Sequence, residues 1–366
     1  MFRKLQNIIL IVSLFCCSLM TLAQTGGKNV YNFLRLGYAP RQIALGNSLV
    51  SVNDGDPSLL SLNPSYLDER HNNTLVLNFT DYFTHNCYAS ALYAHSVPKI
   101  GSLFAEMRYV GYGTFQGTDE AGNETGLFNA GDYALTVGWG RALPRNFFVG
   151  ANLKLLLSSY ESYTSFGFAI DLAGSYYNPD HNLSMTLLFK NIGSEFKPFT
   201  KGNYERVPFD LQFALSQRLK HVPIRYHISL HSLYRWNMNY YGEENPFLST
   251  DAVTDSLQYP SKASQFFDNF FRHFVFGIEI EPVKYFSIQL AYNHNTHQEM
   301  KVLARRSMAG FSYGLNINIS GFRVGFARQH YAIGAVPNSV SFAMNFDEIA
   351  KMHRDKKTKK LQRVSD

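Results

Sequence analysis

Along most of this chain, apolar and polar side chains alternate one for one. Between residues 274 and 281, Phe274, Phe276, Ile278 and Ile280 point one way, while Val275, Gly277, Glu279 and Glu281 point the other, and Pro282 closes the run. A period of two is the signature of a strand, because successive side chains leave opposite faces. The two faces narrow the setting. A packed enzyme core would not accept two glutamates, and a sheet facing solvent would not need such large apolar residues on its other side. Hydrocarbon on one side and a wet lumen on the other accommodates both.

The same alternation returns near residues 75–80, 87–96 (less cleanly), 103–109, 133–140, 149–155, 165–172, 183–190, 209–218, 224–231, 286–293, 311–320, 322–327 and 339–346. With the first run this predicts fourteen strands, an even number, as single-chain bacterial barrels have. The connections sort by parity. Those after even strands are short and mostly proline-marked, as at Val97-Pro98-Lys99, Leu143-Pro144-Arg145 and Asn178-Pro179-Asp180. The long ones, at about 114–127, 193–206, 237–270 and 294–305, follow odd strands. Short periplasmic turns and long outer loops are the asymmetry of a transmembrane barrel, and a soluble sandwich has no reason for it. The expectation is an all-β, 14-stranded antiparallel outer-membrane barrel over residues 72–346, with both termini in the periplasm of a Gram-negative bacterium.

The flanks differ. Residues 1–23 read as a signal peptide, with Arg3 and Lys4 at its start, an apolar stretch from Ile8 to Met20, and Thr21-Leu22-Ala23 as the cleavage site. Residues 24–71 do not alternate and are rich in turn formers such as Asn53-Asp54-Gly55-Asp56-Pro57-Ser58, so they are expected to form a hatch inside the barrel. Residues 347–366 form a basic tail on the periplasmic side. Aromatic residues make up 15% of the chain and charged residues 17%, a balance suited to strands and interfacial girdles. The formal charge of +6 is too small and scattered to argue for nucleic acid. Without its leader the chain keeps one cysteine, Cys87, and so no internal disulfide.

Candidate chemistry is sparse. The inward set includes Glu106, Arg108, Asp171, Arg225, Glu279 and Glu281, with Lys154, Lys190, Asp210, Arg218 and Arg323. Mixed charges of this kind pair across a lumen and hold a filler, or line a water channel. His294-x-x-His297 with Glu299 falls in an expected outer loop rather than on the helix a metalloprotease needs. His227 and His231 share the inward face, where hydrogen bonding is the simpler reading than metal binding. Asn53-Asp54-Gly55-Asp56 lacks the downstream glutamate of a calcium-binding hand and reads as a turn. The expectation is therefore no catalytic constellation, no cofactor and no metal. The long connection 237–270 carries Tyr240, Tyr241, Phe247, Tyr259, Phe266 and Phe267, which either fold it over the mouth or offer a docking surface for a partner.

Several motifs also carry a family resemblance. Thr25-Gly26-Gly27-Lys28-x-x-Tyr31-Asn32-Phe33-Leu34, Ala39-x-Arg41-x-x-Ala44-Leu45-Gly46 and Asn63-Pro64 come first; Ser162-Tyr163-x-Ser165-Phe166-Gly167, Lys190-Asn191-Ile192-Gly193 and Arg272-His273-x-Val275-Phe276-Gly277 follow. In these the chain resembles the PorQ family, FadL-like outer-membrane barrels of type IX protein secretion, over about residues 25–346. Asn47 stands where a second glycine is usual, and Ser65 where alanine is. The resemblance implies a hatch built on Arg41, Leu45, Gly46, Asn63 and Pro64, no enzymatic activity, and membership of a surface attachment complex with PorU, PorV and PorZ, in which the barrel holds PorZ. The alternative is a FadL-like transporter of hydrophobic compounds, which calls for an apolar inner pocket and a lateral gap.

Overall fold

Fourteen antiparallel strands close on themselves in chain order. They are β1 (Thr74–Asp81), β2 (Cys87–Val97), β3 (Gly101–Thr118), β4 (Glu124–Leu143), β5 (Phe147–Tyr160), β6 (Tyr163–Asn178), β7 (Leu183–Lys197), β8 (Asp210–Arg218), β9 (Ile224–Leu230), β10 (Phe274–Val283), β11 (Phe286–Asn293), β12 (Phe311–Ile319), β13 (Phe322–Gln329) and β14 (Asn338–Asn345). This computed structural model describes residues 29–83, 86–238, 249–250, 257–258, 261–301, 306–352 and 354. Strand β1 pairs with β14 from Thr74 opposite Asn345 to Asp81 opposite Asn338, so the barrel has no open edge. The expected strand count and alternation hold. The leader at 1–23 and residues 355–366 of the basic tail lie outside the described residues.

Alternation decides which side chains meet lipid. On β5, Leu155 is 51% exposed and its neighbour Lys154 1%; on β10, Ile278 is 47% exposed and Glu279 0%. Leu77, Met107, Val137, Leu172, Leu187, Leu290 and Val340 are likewise exposed. An outer wall this apolar around an ionic interior is stable only against hydrocarbon, which makes this a transmembrane barrel. No helix among the described residues is long and apolar enough to cross a membrane.

Four expected connections need correction. Strands β3 and β4 extend past the barrel's other strands and leave only 119–123 between them, so most of 114–127 is hairpin. The alternation there is blurred by glycines and threonines, but cross-strand pairs such as Phe115 against Phe128, stacked at 5.5 Å, still zip the ladder. Strand β7 runs to Lys197, into the expected 193–206 loop. Residues Lys262–Arg272 form a helix, α2, and His294–Met300 a helix, α3, rather than loop. By contrast β1 and β8 to β14 have only seven to ten residues, so the wall on that side is lower than at β3 to β7.

Residues 29–71 lie within the ring of strands, with most of their side chains buried. The segment is a string of tight turns: a five-residue helix α1 (Pro40–Ala44) and 3-10 turns at Asn32–Arg35, Pro57–Leu59, Pro64–Tyr66 and Glu69–His71. Asp56, Asn63 and Asp68 each accept from a backbone N–H two residues on, which starts the last three turns. Prolines at the first helical position of three of these turns fix φ where no donor is needed. Short turns of this kind expose many backbone groups, and inward-facing strand residues supply partners for them.

Candidate functional site

Arg41, on α1, is the hub of the lumen. It is 5% exposed. Its Nε and Nη2 donate to the two carboxylate oxygens of Glu279 on β10, at 3.0 and 2.7 Å. Nη2 and Nη1 also donate to Asp54, at 2.6 and 3.1 Å, and Nη1 to Asp56 at 2.9 Å. Arg225 on β9 bridges the same acids, 2.7 Å from Asp54 and 3.0 Å from Glu279, and reaches Glu281 at 3.2 Å. Glu281 is also 2.8 Å from Arg218, and Gln289 donates to Glu279 at 2.8 Å. Arg41, Arg225 and Arg218 thus face Asp54, Asp56, Glu279 and Glu281. Burial disfavours the charged Asp54 carboxyl, but Arg41 and Arg225 outweigh it and hold the group well below the usual carboxylate range. The carboxylates of Asp54, Glu279 and Glu281 approach closely enough to share a cation. Two guanidinium groups occupy that role instead. A cavity of about 220 Å³ adjoins the cluster near the short-turn rim.

A second set fastens the middle of the segment. Arg108 donates to Glu106 at 2.8 Å and to the Ser61 hydroxyl at 2.7 Å, and its guanidinium lies 3.8 Å from the Tyr38 ring centre. Lys154 pairs with Asp171 at 2.7 Å, and Asn152 donates to both Asp171 and the Ser61 carbonyl at 3.0 Å. Asn63 donates to the Val50 carbonyl and to Ser175 and Thr186, while its own oxygen takes the Ser65 N–H. The adjoining Pro64 backbone presses on Gly140 and Gly150, where a Cβ would collide with it. Gly46 turns with φ +78° against Val275, and Leu45 packs over Gly277. Asn47 has φ +66°, a left-handed conformation that asparagine tolerates best after glycine. Its divergence from glycine therefore costs the turn little.

Near the long-loop rim the lining turns aromatic. Val30, Tyr31, Phe33 and Leu34 of the N-terminal segment pack with Tyr88, Val110, Leu156 and Val207, and with the part-buried Leu36, Tyr82, Tyr112 and Phe199. Tyr112 and Tyr160 hydroxyls donate to Asp132 at 2.5 and 2.7 Å, and Ser158 does so too. Their rings are thereby held edge to face, 6.0 Å apart. With Asn86, Phe115 and Ala130 they line an open cup of about 440 Å³.

The expected luminal charges Glu106, Arg108, Asp171, Arg225, Glu279 and Glu281 all point inward, and the segment residues Arg41, Leu45, Gly46, Asn63 and Pro64 meet them or their strands. Asp54 and Asp56, which the sequence presents only as turn residues, take three of the hydrogen bonds that Arg41 donates. The usable signal was a doubly acidic turn in a segment expected inside a charged lumen. His294 and His297 sit on α3, not in a loop, and diverge: His294 approaches Asp268 at 3.2 Å, and His297 bonds the Ala309 carbonyl at 2.8 Å. Tyr240, Tyr241, Phe247 and Tyr259 lie outside the described residues. Phe266 and Phe267 lie on α2, 52% and 59% exposed.

No family model matches the chain, and no curated protein does. Solved structures similar to it include a TodX monoaromatic hydrocarbon channel carrying the deltaS2S3 mutation (12% identity, 85% of this chain and 99% of that one, TM-score 0.49). A Pseudomonas aeruginosa FadL homologue is similar at 8% identity, 85% and 98% coverage and a TM-score of 0.44. The KdgM porin is similar at 8%, 75% and 99%, with a TM-score of 0.32. Likenesses this distant carry no functional argument.

Proposed function

We propose that this barrel takes up small hydrophobic compounds, caught in the aromatic cup at the long-loop rim and admitted when the N-terminal segment shifts. The observation that carries the reading is the cup itself: Tyr112, Phe115 and Tyr160 with Asn86 and Ala130, beside the apolar cluster in which Val30 and Phe33 of the N-terminal segment pack with Tyr112. An apolar pocket with a few fixed polar groups is the usual form of a small-molecule site. Here Asp132 orients Tyr112 and Tyr160 through their hydroxyls, and Phe199 stacks on one face of Tyr160 at 5.1 Å, which fixes the rings that line the cup. The long-loop rim is taken as the cell exterior and both termini as periplasmic. The segment and its ion cluster then form the gate. The test is binding of a naphthylamine fluorophore to the purified protein. Phe115→Ala with Tyr160→Ala should weaken it at least tenfold while the barrel remains heat-modifiable on gels. Equal binding by the variant would overturn the reading.

A second reading, favoured by the near-complete pairing of the luminal charges, is a closed, non-conducting barrel that anchors surface proteins of a PorZ, PorU and PorV type through its outer loops. It predicts no uptake of hydrophobic probes into proteoliposomes, and loss of a crosslinked surface protein when 237–270 is deleted.

A further inference from the structure

Helix α2 is divided cleanly along its length. Phe266, Phe270, Ala263, Phe267 and Phe271 fall on one arc of the helix, and Lys262, Gln265, Asp268, Asn269 and Arg272 on the other. The polar arc faces the protein. Asn269 is 5% exposed, donates to the Trp236 carbonyl at 2.6 Å and accepts from the Met238 N–H at 2.7 Å. Asp268 takes hydrogen bonds from Arg272 and His294. Burial raises the Asp268 carboxyl, but its bonds to His294 and Arg272 prevail and keep it below the usual range, so the helix is tied down through a charged group. The apolar arc faces out: Phe266, Phe267, Phe270 and Phe271 are 36–59% exposed. Four exposed phenylalanines on one helix in an otherwise well-paired protein call for an occupant.

The occupant is indicated by what the patch joins. Phe270 lies 4.8 Å from Phe274, and Phe274 5.7 Å from Phe276, both on the lipid-facing side of β10. In the other direction Phe266 stacks with Phe270 at 6.4 Å and contacts Trp236 at 5.4 Å. The rings therefore run without a break from the membrane-facing wall, up the helix, to an exposed tryptophan. They continue from the start of β10, on the side of the barrel where the strands are short.

We propose that α2 lies in the membrane interface at the long-loop rim, with its phenylalanine face and Trp236 set among the acyl chains of that leaflet. The helix extends the lipid-facing surface over the low part of the wall, as an amphipathic helix lies in an interface with its apolar side down. A protein partner or a second copy of the chain is the competing occupant, and the test separates them.

The chain has two tryptophans, Trp139 and Trp236. In a Trp139→Phe variant of the full-length barrel, reconstituted in vesicles of dibrominated phosphatidylcholine, the emission comes from Trp236 alone. Bromines near the headgroup end of the acyl chain should quench it strongly, and aqueous iodide weakly. The double change Phe266→Ser, Phe270→Ser should reverse that order while the barrel stays inserted. A reciprocal Trp236→Phe variant, reporting from Trp139 on the wall, supplies the insertion control. Emission open to iodide and untouched by bromolipid overturns the proposal. So does emission shielded from both in a particle that proves to be a dimer.

Discussion

Replacing Arg41 with alanine removes one guanidinium that makes five hydrogen bonds to Glu279, Asp54 and Asp56. Glu279 is fully buried, so the variant leaves Glu279 and Asp54 with Arg225 as their remaining arginine, and Asp56 with Arg323 at 3.8 Å. Breaking a buried pair from one side costs about 3–5 kcal/mol, and Arg225 places this case toward the lower end. Because about 1.4 kcal/mol is tenfold, 3 kcal/mol multiplies the population with a displaced N-terminal segment by roughly a hundred. Two readouts follow. Urea unfolding of the refolded barrel in detergent should shift to lower midpoint, and planar-bilayer recordings should show openings that the parent lacks. Arg41→Lys keeps the charge but not the planar fork that spans both oxygens of Glu279, and should fall between the two. Combining Arg41→Ala with Glu279→Gln should cost less than the sum of the two, by about 1–3 kcal/mol, because the two side chains share one interaction. Additive effects, or a parent-like midpoint and silent recordings for Arg41→Ala, would refute the lock.

Two further outcomes rest on the same segment. Gly150→Val puts a branched side chain where the Pro64 and Ser65 backbone passes, so the segment must move; about 1–3 kcal/mol of destabilisation is expected, read from the urea midpoint, whereas Gly174→Val, which points into open space, should leave it unchanged. For acid, the sign follows from Asp54 and Asp68: burial raises each carboxyl, but Arg41 and Arg225 in one case, and hydrogen bonds from His71 and Arg70 in the other, bring it below its ordinary value. Groups depressed in the folded state contribute stability that is present above about pH 4 and lost as pH falls further. The midpoint should drop between pH 5 and 3, and drop less in Arg41→Ala; parallel curves would count against the assignment.

Period-two alternation was enough to specify the barrel, because a strand between lipid and water must repeat every second residue whatever its neighbours are. The strand count, the two faces and the inward placement of Glu106, Lys154, Asp171 and Glu279 were all legible for that reason. Loop parity likewise predicted which rim would be long. Pairing was not legible. Asp54 and Arg41 stand close in the chain but meet Glu279 more than two hundred residues later, and only barrel closure brings that carboxylate to them. Nor could composition tell that four phenylalanines in an apparent loop would coil into a helix and continue the lipid-facing wall. A helix's apolar arc shows in its sequence, but what lies opposite that arc depends on how the element is anchored. Here the anchors are Asn269, Asp268 and His273, whose partners come from separate parts of the rim.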